Sequence, residues 1–192
     1  MRRFLLVSRT GRTDGRGASL RDAGFLDVVH QCGVMALFKA HGHREDVEFT
    51  AVLMGPPKPP KAVTFRGREL RDLATDDSDW AKVLRDVLSG KPHPGIGVAG
   101  VGLQTLIDDA ARRSDPVFVL HEKGEPIESV EIDGDPLFVI GDHIGLAKKD
   151  EDYVMRTGRR VSLGKKSYLA AACVASINYT LDRRESTDGR PP

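Results

Sequence analysis

The chain has 192 residues, 40% of them hydrophobic, and a formal net charge of +1. That length and composition fit one domain with a sizeable core and exclude a disordered chain, and the near-neutral balance excludes attachment to nucleic acid by bulk charge alone while leaving a local basic patch open. Two cysteines, Cys32 and Cys173, make no disulfide framework and fit a reducing, cytoplasmic setting, while the apolar run at the start is too short for a signal peptide and no stretch reaches the length of a membrane span.

Residues 3–8 read as a first strand. A Gly/Arg/Ser/Thr loop follows over 10–19, where Arg9, Arg12 and Arg16 either meet phosphate or sit solvated. Residues 22–40 read as a helix, because Phe25, Leu26, Val29, Cys32, Ala36 and Leu37 recur at spacings of three and four. Asp27 falls early in it, either as a solvent-side charge that suits the helix dipole or as a carboxylate facing a pocket. Residues 41–46 read as a polar loop; His41 and His43 have no further His or Cys cluster to complete a metal site.

Residues 47–54 and 62–65 read as strands joined by the stiff, proline-rich connector 55–60, which cannot be helical. A second helix begins near Asp77, carries the stripe Trp80, Val83, Leu84, Val87, Leu88 and ends at Gly90. Trp80 is expected in the core or at an interface. A short strand over 95–98 and a third helix around Leu103, Leu106, Ile107 and Ala110 follow.

Residues 116–120 form a continuous apolar run that reads as a fully buried strand, ending in the polar loop 121–125. Residues 136–140 form another, which stops at Gly141 and is followed by Asp142, His143 and Gly145. A short helix over 148–155 and a third apolar strand over 160–164 come next. The last helix, over 166–182, has Leu169, Cys173, Ile177 and Leu181 four apart, and 184–192 reads as a disordered polar tail. Alternating strands and helices predict an α/β fold with a mostly parallel sheet, one domain over 1–183.

Ligands of such sheets bind where strands end at their carboxyl edge. Three strand ends, at 120–124, 140–145 and 161–164, are candidates to converge, with Gly141 to Gly145 as the lip of a small-molecule site. The chain has no G-x-G-x-x-G after its first strand, no G-x-x-x-x-G-K-[ST] and no G-x-S-x-G, and no cluster with metal-ligand spacing. What remains is a ligand held mainly by backbone groups of several loops, a mode that suits adenosine-containing methyl donors.

The segments 25–28 (FLDV), 43–47 (HREDV), 94–98 (PGIGV), 120–126 (LHEKGEP), 138–143 (FVIGDH) and 160–164 (RVSLG), in this order and spacing, resemble the archaeal-type tRNA pseudouridine(54) N1-methyltransferases of the SPOUT superfamily. The resemblance spans nearly the whole chain. It implies a SPOUT methyltransferase fold with a C-terminal trefoil knot, an exception to the usual avoidance of knots. It also implies S-adenosyl-L-methionine as cofactor, tRNA as substrate and a homodimer. By the same resemblance the methyl donor is held by Leu120, by Gly141, Asp142 and Gly145, by Val161, Ser162 and Leu163, and by Cys173. Asp27 is implied as the proton acceptor or base-positioning residue.

The chemistry such an enzyme must meet is clear. Pseudouridine N1 carries a proton at neutral pH and is a poor nucleophile, so the site must align the reacting atoms, remove or share that proton and offer donors to the uracil oxygens. Two positions depart from the family pattern: Phe25 stands where an arginine is usual, and Asn178 where histidine is frequent. These departures leave open a different RNA target, or a knotted RNA-binding protein without catalysis. Arg44, Lys58, Lys61, Arg66 and Arg68 are candidate phosphate contacts, with surface solvation as the competing explanation. A nucleotide-binding enzyme on an ordinary doubly wound sheet is a third reading.

Overall fold

The computed structural model describes residues 1–187. Its elements run β1 (Arg2–Ser8), α1 (Leu26–Leu37), β2 (Phe38–Lys39), β3 (Gly42–His43), β4 (Val47–Leu53), β5 (Lys61–Arg66), α2 (Asp77–Leu88), β6 (Ile96–Ala99), α3 (Leu103–Arg112), β7 (Val117–Pro126), β8 (Leu137–Gly141), α4 (Lys148–Val154), β9 (Arg159–Ser162) and α5 (Ala170–Thr187), with one turn of 3-10 helix at Ile127–Ser129. No helix among the described residues is long and apolar enough to cross a membrane.

A seven-stranded sheet has the order β6-β5-β4-β1-β8-β7-β9. Every pair from β4 to β9 is parallel, and β5 and β6 extend the sheet antiparallel, β5 through the proline-rich hairpin connector. The mostly parallel α/β sheet expected from the alternation of elements is therefore present, with an antiparallel edge.

Side chains on a strand alternate between faces, and the two apolar layers follow that alternation. Phe4 and Leu6 of β1 and Phe138 and Ile140 of β8 pack with α1, α2 and α5; Leu5 and Val7, with Leu137 and Val139, pack with α3 and α4. This is why residues 136–140 read as an unbroken apolar run: β8 is central and covered on both sides. Trp80 belongs to the first layer, where it is fully buried, stacks on Phe65 and donates its indole N–H to the Ala74 carbonyl at 3.0 Å.

Five local expectations change. The helix expected to run to residue 40 ends at Leu37, and Phe38–Lys39 pairs antiparallel with Gly42–His43, so the polar loop expected at 41–46 is partly strand. Helix α1 begins at Leu26 instead of Asp22, because Gly24 and Phe25 both adopt positive φ (80° and 62°) and break the helical path. The loop expected at 121–125 is part of β7, whose pairing with β9 slips so that Leu120 and Glu125 both face Val161. Residues 166–169 are an extended lead-in, and α5 starts at Ala170. The same helix runs to Thr187, so 184–187 are not a disordered tail: Arg184 donates to the carbonyls of Val130 and Ile127, and Glu185 accepts from Arg2. The rest of that expected tail, 188–192, lies outside the described residues.

Candidate functional site

The carboxyl ends of β7 and β8 and the chain leaving β9 converge on one cavity of about 280 Å³. Ile140, Gly141, Asp142, Gly145 and Leu146 come from the exit of β8, and Val119, Leu120, His121 and Glu122 from β7 and its slipped stretch. Leu163, Gly164, Lys166, Ser167 and Tyr168 come from the lead-in to α5, Ala170 and Cys173 from α5 itself, and Glu151 from α4. Leu120, Gly141, Asp142, Gly145, Leu163 and Cys173 all line this cavity. Val161 and Ser162 do not line it. Val161 is wholly buried behind the wall, and the Ser162 hydroxyl donates to the Gly164 carbonyl (2.9 Å) and accepts from the Gly164 N–H (3.0 Å), bracing the turn that forms the rim.

The loop after β8 is held by its own backbone. A Cβ on Gly141 would lie 2.5 Å from the nitrogen of Leu146, so the loop folds back in contact with it and only glycine fits. Gly145 turns with φ 82° and has open space above it. The buried Asp142 carboxylate accepts from the Ile144 N–H at 2.9 Å and from the Arg9 N–H at 2.7 Å. Both its oxygens are therefore engaged in shaping the loop.

On the opposite wall, Glu122 accepts from the Ser167 hydroxyl at 2.6 Å, which ties β7 to the lead-in. Burial pushes the half-buried Cys173 thiol up, and that of the fully buried Cys32 further still. Apolar walls from Leu120, Ile140, Leu146, Leu163 and Ala170, a glycine-lined loop backbone, and polar groups at Glu122, Glu151 and Lys166 make a donor set that fits an adenosine with a charged tail.

Asp27 is not in this cavity. It stands in the first turn of α1, and it reaches the cavity's edge through a short series of contacts. Its Oδ2 meets the Arg21 guanidinium at 3.5 Å; Arg21 lies over the Phe25 ring, 5.0 Å from its centroid; Phe25 lies on the His143 ring, centroids 4.3 Å apart. The other oxygen, Oδ1, is buried with no hydrogen-bond partner. A carboxylate oxygen kept from water and left without a partner is costly in a packed protein.

Several cations expected at phosphate are committed elsewhere. Arg44 makes two hydrogen bonds to Asp182 (2.9 and 2.7 Å), Arg12 two to Asp14, and Arg66 faces Glu48 at 3.6 Å. Lys61 donates to the carbonyls of Thr13 and Leu88. The carboxylates and carbonyls that hold them were invisible in a linear reading. Asn178 is a structural residue: it is buried, its amide donates to the carbonyls of Met35 and Ala36 at the end of α1, and its oxygen accepts from Arg2. His121 and Glu122 fall within the strand end 120–124 that the sequence marked, whereas Glu151, Lys166, Ser167 and Tyr168 were missed; for the last three the one available signal was the polar stretch between a buried strand and the last helix.

The sequence model of a family described as SAM-dependent RNA methyltransferase matches residues 1–186. The tRNA (pseudouridine(54)-N(1))-methyltransferase of Methanocella arvoryzae is 37% identical over 96% of this chain and 100% of its own length. That of Methanocaldococcus jannaschii is 32% identical over 84% of this chain and 85% of its own. Among solved structures, Archaeoglobus fulgidus Nep1 bound to S-adenosylhomocysteine aligns with a TM-score of 0.72 at 16% identity, covering 95% of this chain and 98% of that one, which shows a shared fold.

Proposed function

The chain belongs to the SAM-dependent RNA methyltransferase family, and on that premise we propose that it methylates N1 of pseudouridine 54 in the T loop of tRNA, using Asp27 at the target base. The full-length relatives that carry this activity in their names support the target. The observation that carries the chemistry is Asp27, whose Oδ1 is buried without a partner beside the Phe25–His143 contact on the cavity's edge.

S-adenosylmethionine, when bound, supplies a methyl group on a positively charged sulfonium; the remaining tasks fall to the chain. Leu120, Leu163 and Cys173 form the apolar wall for its adenosine, and the backbone of Gly141 to Gly145 forms the cradle. Asp142 and Ser162 act one step back, by fixing the two loops. The Asp27 carboxylate holds the N1 proton of the target base and takes it as the base reacts, the role of a positioned general base.

Exposed apolar side chains support a homodimer through the α1/α5 side: Met35 and Tyr168 each share a surface depression with Tyr179, and Leu169, next in the chain to Tyr168, is 75% exposed. Leu169→Glu is then expected to yield monomers in sedimentation equilibrium. The return of α5 from the sheet edge to α1 and Arg2 supports a threaded C-terminal knot. A knotted chain pulled from its ends would reach a contour length shorter than its residue count allows. A tRNA substrate and free thiols at Cys32 and Cys173 support a cytoplasmic location.

The test is transfer of labelled methyl from S-adenosylmethionine to tRNA carrying either pseudouridine or uridine at position 54. Transfer only to the former is expected. Transfer to neither, with the cofactor bound, would sink the reading, and transfer to another nucleotide would favour the alternative target that Phe25 raises.

A further inference from the structure

Two residues in succession, Gly24 and Phe25, sit in the left-handed region at φ 80° and 62°. Glycine is required at the first, where a Cβ would lie 2.0 Å from the Thr10 carbonyl oxygen. Phenylalanine at the second is costly, since a side chain with a Cβ clashes with its own backbone there. Strain of this kind persists when the surroundings over-determine it and clusters at functional sites. Here the turn is closed by the Phe25 N–H donating to the Arg21 carbonyl and the Leu26 N–H to the Leu20 carbonyl, both at 2.9 Å.

The strained turn builds a column. His143, beside the cavity, carries the Phe25 ring at 4.3 Å; the Phe25 ring carries the Arg21 guanidinium at 5.0 Å. The Arg21 side chain is 71% exposed, and it meets Asp27 Oδ2 at 3.5 Å. An exposed pairing of that length contributes little in water and is cheaply exchanged. Guanidinium is the group that can lie flat on an aromatic ring and still present N–H donors in a fork to phosphate.

We propose that Arg21 positions the target nucleotide: stacked on Phe25, it exchanges Asp27 for an RNA phosphate oxygen when the substrate binds, and the exchange leaves the whole Asp27 carboxylate to the target base. The proposal rests on the reading of the chain as an RNA methyltransferase acting at Asp27. It assigns Phe25 a purpose, as the surface that holds the guanidinium over the site, and it makes the RNA-free state one in which Asp27 is half occupied.

The experiment measures binding of a T-loop hairpin RNA by fluorescence anisotropy across a salt series, beside methyl transfer and S-adenosylhomocysteine binding. Arg21→Ala is expected to weaken hairpin binding about tenfold and to lower the log–log salt slope by about 0.7 to 1, as loss of one phosphate contact requires. Cofactor binding and melting temperature should not move. Arg21→Lys keeps the charge without the flat stack, so it should keep the slope and recover affinity in part; Phe25→Leu should weaken binding by freeing Arg21. An unchanged slope and affinity in Arg21→Ala overturn the inference, and a purely structural role for Arg21 would shift melting and leave the slope alone, which overturns it equally. Because binding is read without turnover, a wild type that binds through Arg21 yet transfers no methyl overturns the proposed activity and supports this inference. Full transfer with Arg21-independent binding does the reverse, and a wild type that binds no RNA overturns both.

Discussion

The carboxylate of Asp142, in the loop after β8, accepts the backbone N–H of Arg9, in the loop after β1, at 2.7 Å. Since β1 and β8 are adjacent parallel strands, this bond ties their exits together at the cavity. Asp142→Ala removes it and the bond from Ile144, leaving two backbone donors unmet. We expect a loss of about 2 kcal/mol of stability and roughly tenfold weaker S-adenosylhomocysteine binding, measured by thermal melting and calorimetry.

Gly141 and Gly145 separate two reasons for glycine. A methyl at Gly141 would meet the backbone of Leu146 and Gly145 at 2.5 to 2.7 Å, so the loop must move; at Gly145 it meets open space but a positive φ. Gly141→Ala is expected to abolish detectable cofactor binding and cost roughly 2 kcal/mol. Gly145→Ala should cost about 1 kcal/mol and retain binding. Equal effects in titration calorimetry would refute the contrast.

Asp27→Asn keeps the shape of the side chain and removes the proton acceptor. Transfer to pseudouridine-containing tRNA should fall about a hundredfold to ten-thousandfold, with cofactor affinity unchanged. The melting temperature should hold or rise, since a buried, partnerless carboxylate oxygen is replaced. Wild-type turnover in this variant would remove Asp27 from the chemistry.

At the far end of the molecule, Asp182 accepts from both Arg2 (2.6 Å) and Arg44 (2.9 and 2.7 Å). Burial pushes its carboxyl up, but the hydrogen bonds from Arg44 and Arg2 outweigh this and hold it below the usual carboxylate range. The folded state therefore binds this proton less readily than the unfolded chain. The stabilisation is fully present above about pH 4 and is lost as pH falls through the lower, folded value. Asp182→Asn should cost about 2 kcal/mol, less than the 3–5 of a fully buried pair because Asp182 is 38% exposed. It should also flatten the acid limb of a stability–pH curve measured by urea denaturation.

The strands of the sheet centre were legible because β7 and β8 are buried on both faces, which prints an unbroken apolar run. The turn at Gly24–Phe25 was not, since nothing in a phenylalanine announces a positive φ, and so the start of α1 was read four residues early. The slipped pairing of β7 on β9 was hidden for a related reason: residues 121–124 leave the ladder, with His121 and Glu122 at the cavity, before Glu125 rejoins it while the strand continues. In the site, the glycine lip at 141–145 could be read from the residues, while the assignment of Leu120, Leu163 and Cys173 to the cofactor wall came only from the family resemblance. That Val161 and Ser162 stand one layer behind the wall, and that Arg44 and Lys61 have partners of their own, could not be read, because which partner captures a polar group depends on contacts between segments distant in the chain.

The unequal burial of the two cysteines gives this protein a chemical gauge of its own. Cys32 is fully buried in the core and Cys173 is half-buried in the cavity wall. An alkylating reagent applied to the native chain should mark Cys173 slowly and Cys32 only on unfolding. Saturating the cavity with S-adenosylhomocysteine should shield the first and leave the second as it was. The pattern of labelled peptides would then report occupancy and unfolding as two separate signals, without an introduced probe.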